Sequence, residues 1–190
     1  MEATRQIQES ERMIRLGQFD DAIRLLTEVL EDDPLNMPAL LNIGIAYTES
    51  GRNEAAIQTI RFYLQHDREN DEAWEAMGCA HLRRKEFDEA ERCFKQAIEI
   101  APENASVLRN YSILLGQTER GRESYRMLRK SHNLNPDDFL TKFALAAAYR
   151  YLGRRDEALE LYRDIQDLER LPERFRRDIE QNILELSIGW

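Results

Sequence analysis

The chain has 190 residues, of which 33% are charged and 42% are hydrophobic, and its formal net charge is −9. It contains no apolar run long enough for a membrane-spanning helix, its length suits one domain or two, and its apolar content is enough for a buried core. Residues 1–95 carry 12 basic and 20 acidic side chains, and residues 96–190 carry 15 and 16. Neither half has the concentrated positive charge that phosphate binding needs. We therefore expect no membrane insertion and no nucleic-acid binding.

The expected compartment is the cytoplasm. The first residues contain no apolar segment of the kind found in secretion signals. Two cysteines, Cys79 and Cys93, are too few for a disulfide framework.

A repeat of 34 residues runs through the chain. Glycine recurs in one column at Gly17, Gly51 and Gly153, and Lys85 and Glu119 occupy that column in the other two repeats. A second column contains only small residues, namely Ala22, Ala56, Ala90, Ser124 and Ala158. Five in-phase units without an insertion or deletion indicate a repeat protein. The predicted units are at about residues 3–36, 37–70, 71–104, 105–138 and 139–171.

Each unit has the pattern of two helices. In the second unit, Leu40, Ile43 and Tyr47 recur at helical spacing, Gly51 interrupts the pattern, and a second amphipathic stretch follows through Ile60. Four polar residues lie where the next first helix needs an N-cap acceptor, namely Asn36, Asp71, Asn104 and Asp138.

The fourth unit departs from the pattern. It has Gly116 and Gly121 in unusual columns. We therefore expect its turn, about residues 117–121, to be displaced or looser than the others.

A further helix is predicted after the last repeat. Pro172 suits a first helical position, and Phe175 and Ile179 begin an apolar stripe. We expect a capping helix over about residues 172–187 that covers the apolar face of the fifth unit. Trp190 follows this helix and either folds back onto it or docks into a neighbouring molecule.

These features resemble the tetratricopeptide repeat (TPR) family. The third unit carries the closest match, through Trp74, Met77, Gly78, Phe87, Ala90, Phe94, Ala97 and Pro102. The resemblance covers about residues 3–171. It implies an all-α fold, a right-handed superhelical solenoid of five helix–turn–helix units plus the capping helix, in a single domain over residues 1–190. It implies no particular partner, because one fold carries many functions.

No residue pattern indicates catalysis or a cofactor. Gly116 and Gly121 have the spacing of a phosphate-binding loop, but Arg122 follows where that motif requires lysine. The histidines are scattered over three units, at His66, His81 and His132. We expect no enzymatic activity, no metal and no cofactor.

In the TPR family the first helix of each pair lines a concave face, and the resemblance assigns four columns of this chain to that face. An apolar strip runs along these columns, formed by Leu41, Ile45, Leu82, Ile113, Phe143 and Tyr151. Charged residues edge the strip, namely Glu49, Glu75, Arg83, Arg109 and Arg150. Asn42 and Asn110 lie on the same face, where the resemblance implies a contact with the backbone of an extended peptide. An apolar strip with a charged rim indicates a protein-binding groove.

The predicted function is therefore a non-catalytic scaffold that binds an apolar or amphipathic segment of another protein. Self-assembly is one open alternative, in which Trp190 and the C-terminal helix of a second copy meet the groove. A chaperone or regulatory subunit of another protein is a second. Burial of part of the strip by the chain itself also stays open, as does a packing role for the two asparagines.

Overall fold

The computed structural model describes residues 2–168 and 171–188, and these residues form eleven α-helices and no strand. The chain divides into two compact units, residues 1–102 and residues 103–190. Unit 1 contains α1 (Glu2–Arg15), α2 (Phe19–Asp32), α3 (Met37–Glu49), α4 (Asn53–Leu64), α5 (Asp71–Arg83) and α6 (Phe87–Ile100). Unit 2 contains α7 (Ala105–Gln117), α8 (Gly121–Leu134), α9 (Phe139–Tyr151), α10 (Arg155–Gln166) and α11 (Glu173–Ile188).

The helices follow the predicted pairing. Five helix–turn–helix pairs and one C-terminal helix confirm the all-α prediction. Since the helices group into two compact units, the single domain expected over residues 1–190 stays a prediction.

The turn inside every pair uses one backbone conformation at one position of the repeat. The φ angle there is positive at Gly17, Gly51 and Gly153 and also at two residues with side chains, Lys85 (62°) and Glu119 (61°). In each turn the next amide donates to the carbonyl five residues earlier, as Arg52 N–H does to Tyr47 at 2.8 Å. This bond closes the end of the first helix tightly.

The turn of the fourth unit is not displaced. Helix α7 ends and α8 begins 34 residues after the corresponding ends of α5 and α6. Glu119 adopts the same positive φ as its equivalents, so the expected displacement is wrong.

The first helices of repeats two to five begin at side-chain caps. The side-chain oxygen of Asn36 accepts from Ala39 N–H at 3.2 Å, and Asn104 and Asp138 cap their helices in the same way. The cap predicted at Asp71 is wrong by one residue. Asn70 is the cap, because its side-chain oxygen accepts from Ala73 N–H at 2.9 Å.

Each second helix carries one residue of the small column, and these residues are buried inside the helix pairs. The alanines of this column are fully buried. On the facing first helix, a Cβ atom added to Gly78 would lie 2.9 Å from Phe94 Cε1. Only a small residue fits at such a crossing.

Helix α11 covers the last helix pair of unit 2, as predicted. Phe175 makes edge-to-face contacts with Phe139 and Phe143, with ring centroids 5.3 and 5.4 Å apart. Ile179 is fully buried against the same cluster as Tyr162. Trp190 lies outside the described residues.

Candidate functional site

The predicted strip is largely engaged in packing where it crosses unit 1. Helix α3 contacts both α1 and α5, and Leu41 and Ile45 on its surface are half-buried against the hydrophobic core. Leu82 on α5 is half-buried too. In unit 1 these three side chains therefore offer a partner only part of their apolar area.

The polar residues beside this part of the strip have contacts within unit 1. The Asn42 amide donates to Glu11 of α1 at 3.3 Å. The amide nitrogen is therefore already engaged by a side chain of the same unit, whereas the predicted peptide contact would use both its donor and its acceptor. Glu49 and Arg83 form an exposed ion pair at 3.5 Å. Glu75 is half-buried. The rim charges predicted from the sequence thus join neighbouring first helices.

Carboxylates crowd this face of unit 1, which sequence reasoning did not single out. Partial desolvation raises the pKa of Glu72 above its ordinary value, and the carboxylates of Asp71 and Glu11 raise it further. Glu11 and Glu72 lie on α1 and α5, so only the packing of separate repeats reveals their proximity. The electrostatic character of this face is acidic.

Arg109 has a structural contact in unit 2. Its guanidinium forms an ion pair with Asp138 at 2.6 Å, and both side chains are only 17% exposed. Burial alone would raise the pKa of Asp138, but hydrogen bonds from the Thr141 hydroxyl and from Arg109 hold it below its ordinary value. Since Asp138 caps α9, Arg109 links α7 to the start of α9. Asn110 on the same helix is half-buried.

One residue of the strip and one charged residue at its edge contact the capping helix. Phe143 packs against Phe175 of α11 and against Tyr162 of α10. Arg150 donates to Asn182 and pairs with Glu185 of α11 at 2.7 Å. The face of α9 that carries these two residues is therefore occupied by the chain's own C-terminal helix.

The remaining two residues of the strip border an open apolar cavity. Ile113 on α7 is 41% exposed, and Tyr151 at the end of α9 is 82% exposed. A cavity of about 620 Å³ lies beside both side chains. Its other lining residues are mainly small, and include Ser112, Gly116, Gly121, Ser124, Ala144, Ala147 and Ala148. We refer to this feature as the α7–α9 cavity.

The small residues are the reason that the cavity exists. The family resemblance places Gly116 and Ala147 among the four columns of the inner face, whereas it gives no such place to Gly121, which the sequence marks only as an irregular residue of the fourth turn. A Cβ atom added to Gly121 would lie 3.3 Å from Tyr151 Cε1, so the tyrosine ring covers this glycine. The run of alanines on α9 was the sequence signal that could have revealed the cavity.

Metal-binding and membrane-spanning features are absent from the part of the chain that the structure describes. In residues 2–168 and 171–188, no group of three or more His, Cys, Asp or Glu side chains is arranged to hold a metal ion. No helix in these ranges combines the length and the apolar character needed to cross a bilayer.

Comparison with protein families identifies the repeat. Three models, each described as a tetratricopeptide repeat, match residues 13–78, 71–104 and 143–174. Together they cover well over half of the chain. None of these segments includes residues 105–142, which contain the divergent fourth unit.

Two relatives match part of the chain. It is 28% identical over 130 residues to the human protein N-alpha-acetyltransferase 16, NatA auxiliary subunit. The aligned segment covers 68% of this chain and 15% of that protein. It is 26% identical over 119 residues to ER membrane protein complex subunit 2-A of Xenopus laevis. That aligned segment covers 63% of this chain and 40% of the relative. The chain therefore spans less than half the length of either relative.

Solved structures share the fold over nearly the whole chain. A thermophilic TPR protein of Thermus thermophilus matches with a TM-score of 0.85 and 17% identity, over 96% of this chain and 99% of that one. PilF of Pseudomonas aeruginosa matches with a TM-score of 0.75 and 17% identity, over 98% of this chain and 89% of PilF. MamA matches with a TM-score of 0.63 and 20% identity, over 95% of this chain and 97% of MamA. The common feature is the TPR solenoid fold.

Proposed function

The chain belongs to the tetratricopeptide repeat family, and on that premise we propose that it is a non-catalytic scaffold that binds an apolar or amphipathic segment of another protein. The proposed anchor point is the α7–α9 cavity. TPR proteins bind protein partners and are generally non-catalytic, which supports the class of function. The observation that carries the choice of site is the exposure of Ile113 and Tyr151 beside an apolar cavity.

The energetics favour an apolar side chain as the occupant. Covering a large side chain contributes about 1.5–3 kcal/mol when it is fully buried, so two partly exposed ones and a matching partner residue contribute several kcal/mol. Association costs of about 4 kcal/mol or more must be offset. A single anchor therefore suits a segment that makes additional contacts along the strip.

Those additional contacts are assigned to the rest of the predicted strip. In unit 1 they involve half-buried apolar residues with charged neighbours, namely Leu41, Asn42, Ile45, Glu49, Glu75, Leu82 and Arg83. Unit 2 has four further residues of the predicted site, namely Arg109, Asn110, Phe143 and Arg150. We assign them a supporting role beside the cavity, because the contacts of Arg109, Phe143 and Arg150 hold α7, α9 and α11 in place. The free energy of binding is expected to come mainly from Ile113 and Tyr151.

A subunit role in a larger assembly is the second candidate. It is supported by the relatives, because one is named as an auxiliary subunit and the other as a subunit of a complex. A cytoplasmic location remains part of the proposal, because Cys79 and Cys93 are both free thiols and free thiols suit a reducing compartment.

The proposal is tested by an Ile113→Glu variant in affinity purification from the source cell. A buried carboxylate at the cavity wall should reduce recovery of the bound partner at least tenfold, since burying an unpaired charge costs several kcal/mol. Leu134→Glu is the matched control, because Leu134 is 39% exposed but does not line the cavity. Equal recovery by both folded variants would reject the cavity as the anchor.

A further inference from the structure

The lining of the α7–α9 cavity carries a negative charge. Among the described residues that line it, only Glu119 is charged. The Glu119 side chain is exposed, and within the described ranges it forms no ion pair and no hydrogen bond. A group that enters the cavity beside Glu119 therefore meets a carboxylate that has no partner in the chain.

The arginines that flank the lining in sequence are already paired. Arg120 directly follows Glu119, but its guanidinium forms an ion pair with Glu123 at 2.8 Å. Arg150 directly precedes Tyr151 and pairs with Glu185 of α11 at 2.7 Å. Each of these pairs is neutral as a unit, so neither arginine offsets the charge of Glu119.

Arg122 is exposed and lies on another face of α8. The residues of α8 that line the cavity are Gly121, Ser124 and Leu128, which recur at helical spacing and so share one face. Arg122 is not a lining residue, because one step along a helix turns the side chain by about 100°. The negative charge of the lining is therefore not compensated from α8.

The two serines of the lining use their hydroxyl hydrogens within the chain. Ser124 donates to the carbonyl oxygen of Ser112 at 2.8 Å, and Ser112 donates to the carbonyl oxygen of Arg109 at 2.6 Å. A hydroxyl has one hydrogen to donate, so neither serine can bind an incoming anion. Apart from the Tyr151 phenol, the polar side chains of the lining offer only acceptors, which suit a cation.

Tyr151 provides a second group that favours a cation. The Arg154 guanidinium lies over the rings of Tyr149 and Tyr125, at 4.5 and 6.0 Å from the ring centres. No guanidinium of the described residues lies over Tyr151, which is 82% exposed. The face of an aromatic ring attracts cations, so Tyr151 and Glu119 favour the same kind of group beside the cavity.

We propose that the segment bound at the α7–α9 cavity carries a lysine or an arginine beside its apolar anchor residue. This inference rests on the proposed function, because it specifies the chemistry of the partner at the same site. The anchor side chain packs on Ile113 and Tyr151. The cation pairs with the Glu119 carboxylate and contacts the Tyr151 ring, so the site prefers basic amphipathic segments to acidic ones.

The test begins with selection of a random dodecapeptide display library on the full chain. Peptides that bind the parent but not the folded Ile113→Glu variant are the cavity ligands. Compared with the unselected library, they should be enriched in Lys or Arg next to a large apolar residue or one helical turn from it. Each ligand is also synthesised with this cation replaced by glutamine. The parent should bind that form about fivefold more weakly, since an exposed ion pair and a cation–π contact each contribute modestly.

Glu119→Gln should reduce this difference between the two peptide forms to about twofold, because it removes the ion pair and leaves the apolar contacts. Tyr151→Leu should also reduce it, since it keeps an apolar side chain but removes the ring. Glu160→Gln is the matched control, because it removes the same charge from an exposed residue of α10 outside the lining. It should leave the difference unchanged.

The outcomes separate this inference from the proposed function. Cavity ligands without enrichment of Lys or Arg would overturn the inference and leave the cavity as the anchor. A difference that is the same in the parent and in Glu119→Gln would do so as well. A selection that yields no peptide dependent on Ile113 would overturn both proposals.

Discussion

At the scale of single residues, the structure shows which positions of the repeat carry a residue that fits its backbone conformation and which carry one that does not. Lys85 and Glu119 adopt positive φ angles that glycine adopts in the equivalent turns, and this conformation is unfavourable for a residue with a Cβ. Gly78 shows the opposite case, since Phe94 leaves no room for a side chain there. The turn column therefore accepts Lys85 and Glu119 in place of glycine with an expected loss of stability, whereas the position of Gly78 accepts glycine alone.

Replacing Lys85 by glycine is expected to stabilise the protein by about 0.5–1 kcal/mol, because it relieves the left-handed backbone at φ 62°. The Lys85 side chain is exposed, so little contact is lost. The midpoint of urea unfolding should rise. Gly51→Lys is the reciprocal control and should lower it, whereas a lower midpoint for Lys85→Gly would contradict the assignment of strain.

Tyr162 provides a prediction for alkaline pH. Burial raises its pKa to about 12, with the charges of Arg150 and Glu185 acting in opposite directions. Because the folded pKa lies above the ordinary value of about 10, the buried neutral phenol stabilises the fold fully below pH 10. This contribution falls as the pH rises from 10 towards 12.

The Tyr162→Phe variant should therefore lose less stability than the parent between pH 8 and pH 11. Thermal unfolding at the two pH values measures the difference. Tyr63, whose pKa burial also raises to about 12, is present in both proteins and cancels. An identical loss in parent and variant would show that Tyr162 does not contribute.

At the scale of helices, α11 determines how much of the predicted strip is free in unit 2. It contacts Phe143 through Phe175 and engages Arg150 through Glu185. The predicted strip ran continuously through Phe143 and Tyr151, but only Tyr151 is fully open. The capping helix thus shortens the apolar surface that a partner can reach.

Phe175→Ala should destabilise unit 2 by about 1–3 kcal/mol, since it removes two edge-to-face contacts and leaves a gap above Phe143. Binding of a hydrophobic dye should increase as Phe143 becomes accessible. Leu184→Ala on the same helix is the control, because Leu184 is 59% exposed. Equal melting temperatures for the two variants would contradict the role of Phe175.

The helices could be predicted from the sequence because the signals that define each helix pair lie close together along the chain. The 34-residue period placed five pairs, and extending the period from Asn36 to Asn70 would also have corrected the cap assigned to Asp71. Contacts between repeats could not be predicted in the same way. A column of residues identifies a helix face, but it does not reveal that Asp138 engages Arg109 or that Phe175 covers Phe143.

At the scale of the whole chain, the two compact units differ in charge. The net charge of −9 belongs entirely to residues 1–102, since residues 103–190 carry 15 basic and 15 acidic side chains. Unit 1 presents crowded carboxylates beside α1 and α5, and unit 2 presents an apolar cavity beside Ile113. Of the two surfaces, the cavity of unit 2 is the one that suits an apolar partner group, as the proposed function requires.

The most direct test of the central claim is site-specific photo-crosslinking from position 151 in living cells. A benzoylphenylalanine at this position should form a crosslink to a discrete partner segment, and the crosslink should disappear when Ile113 is changed to Glu. The same probe at position 134 should capture no such segment. Crosslinking that persists in the Ile113→Glu background, or is equal at positions 151 and 134, would contradict binding at the α7–α9 cavity.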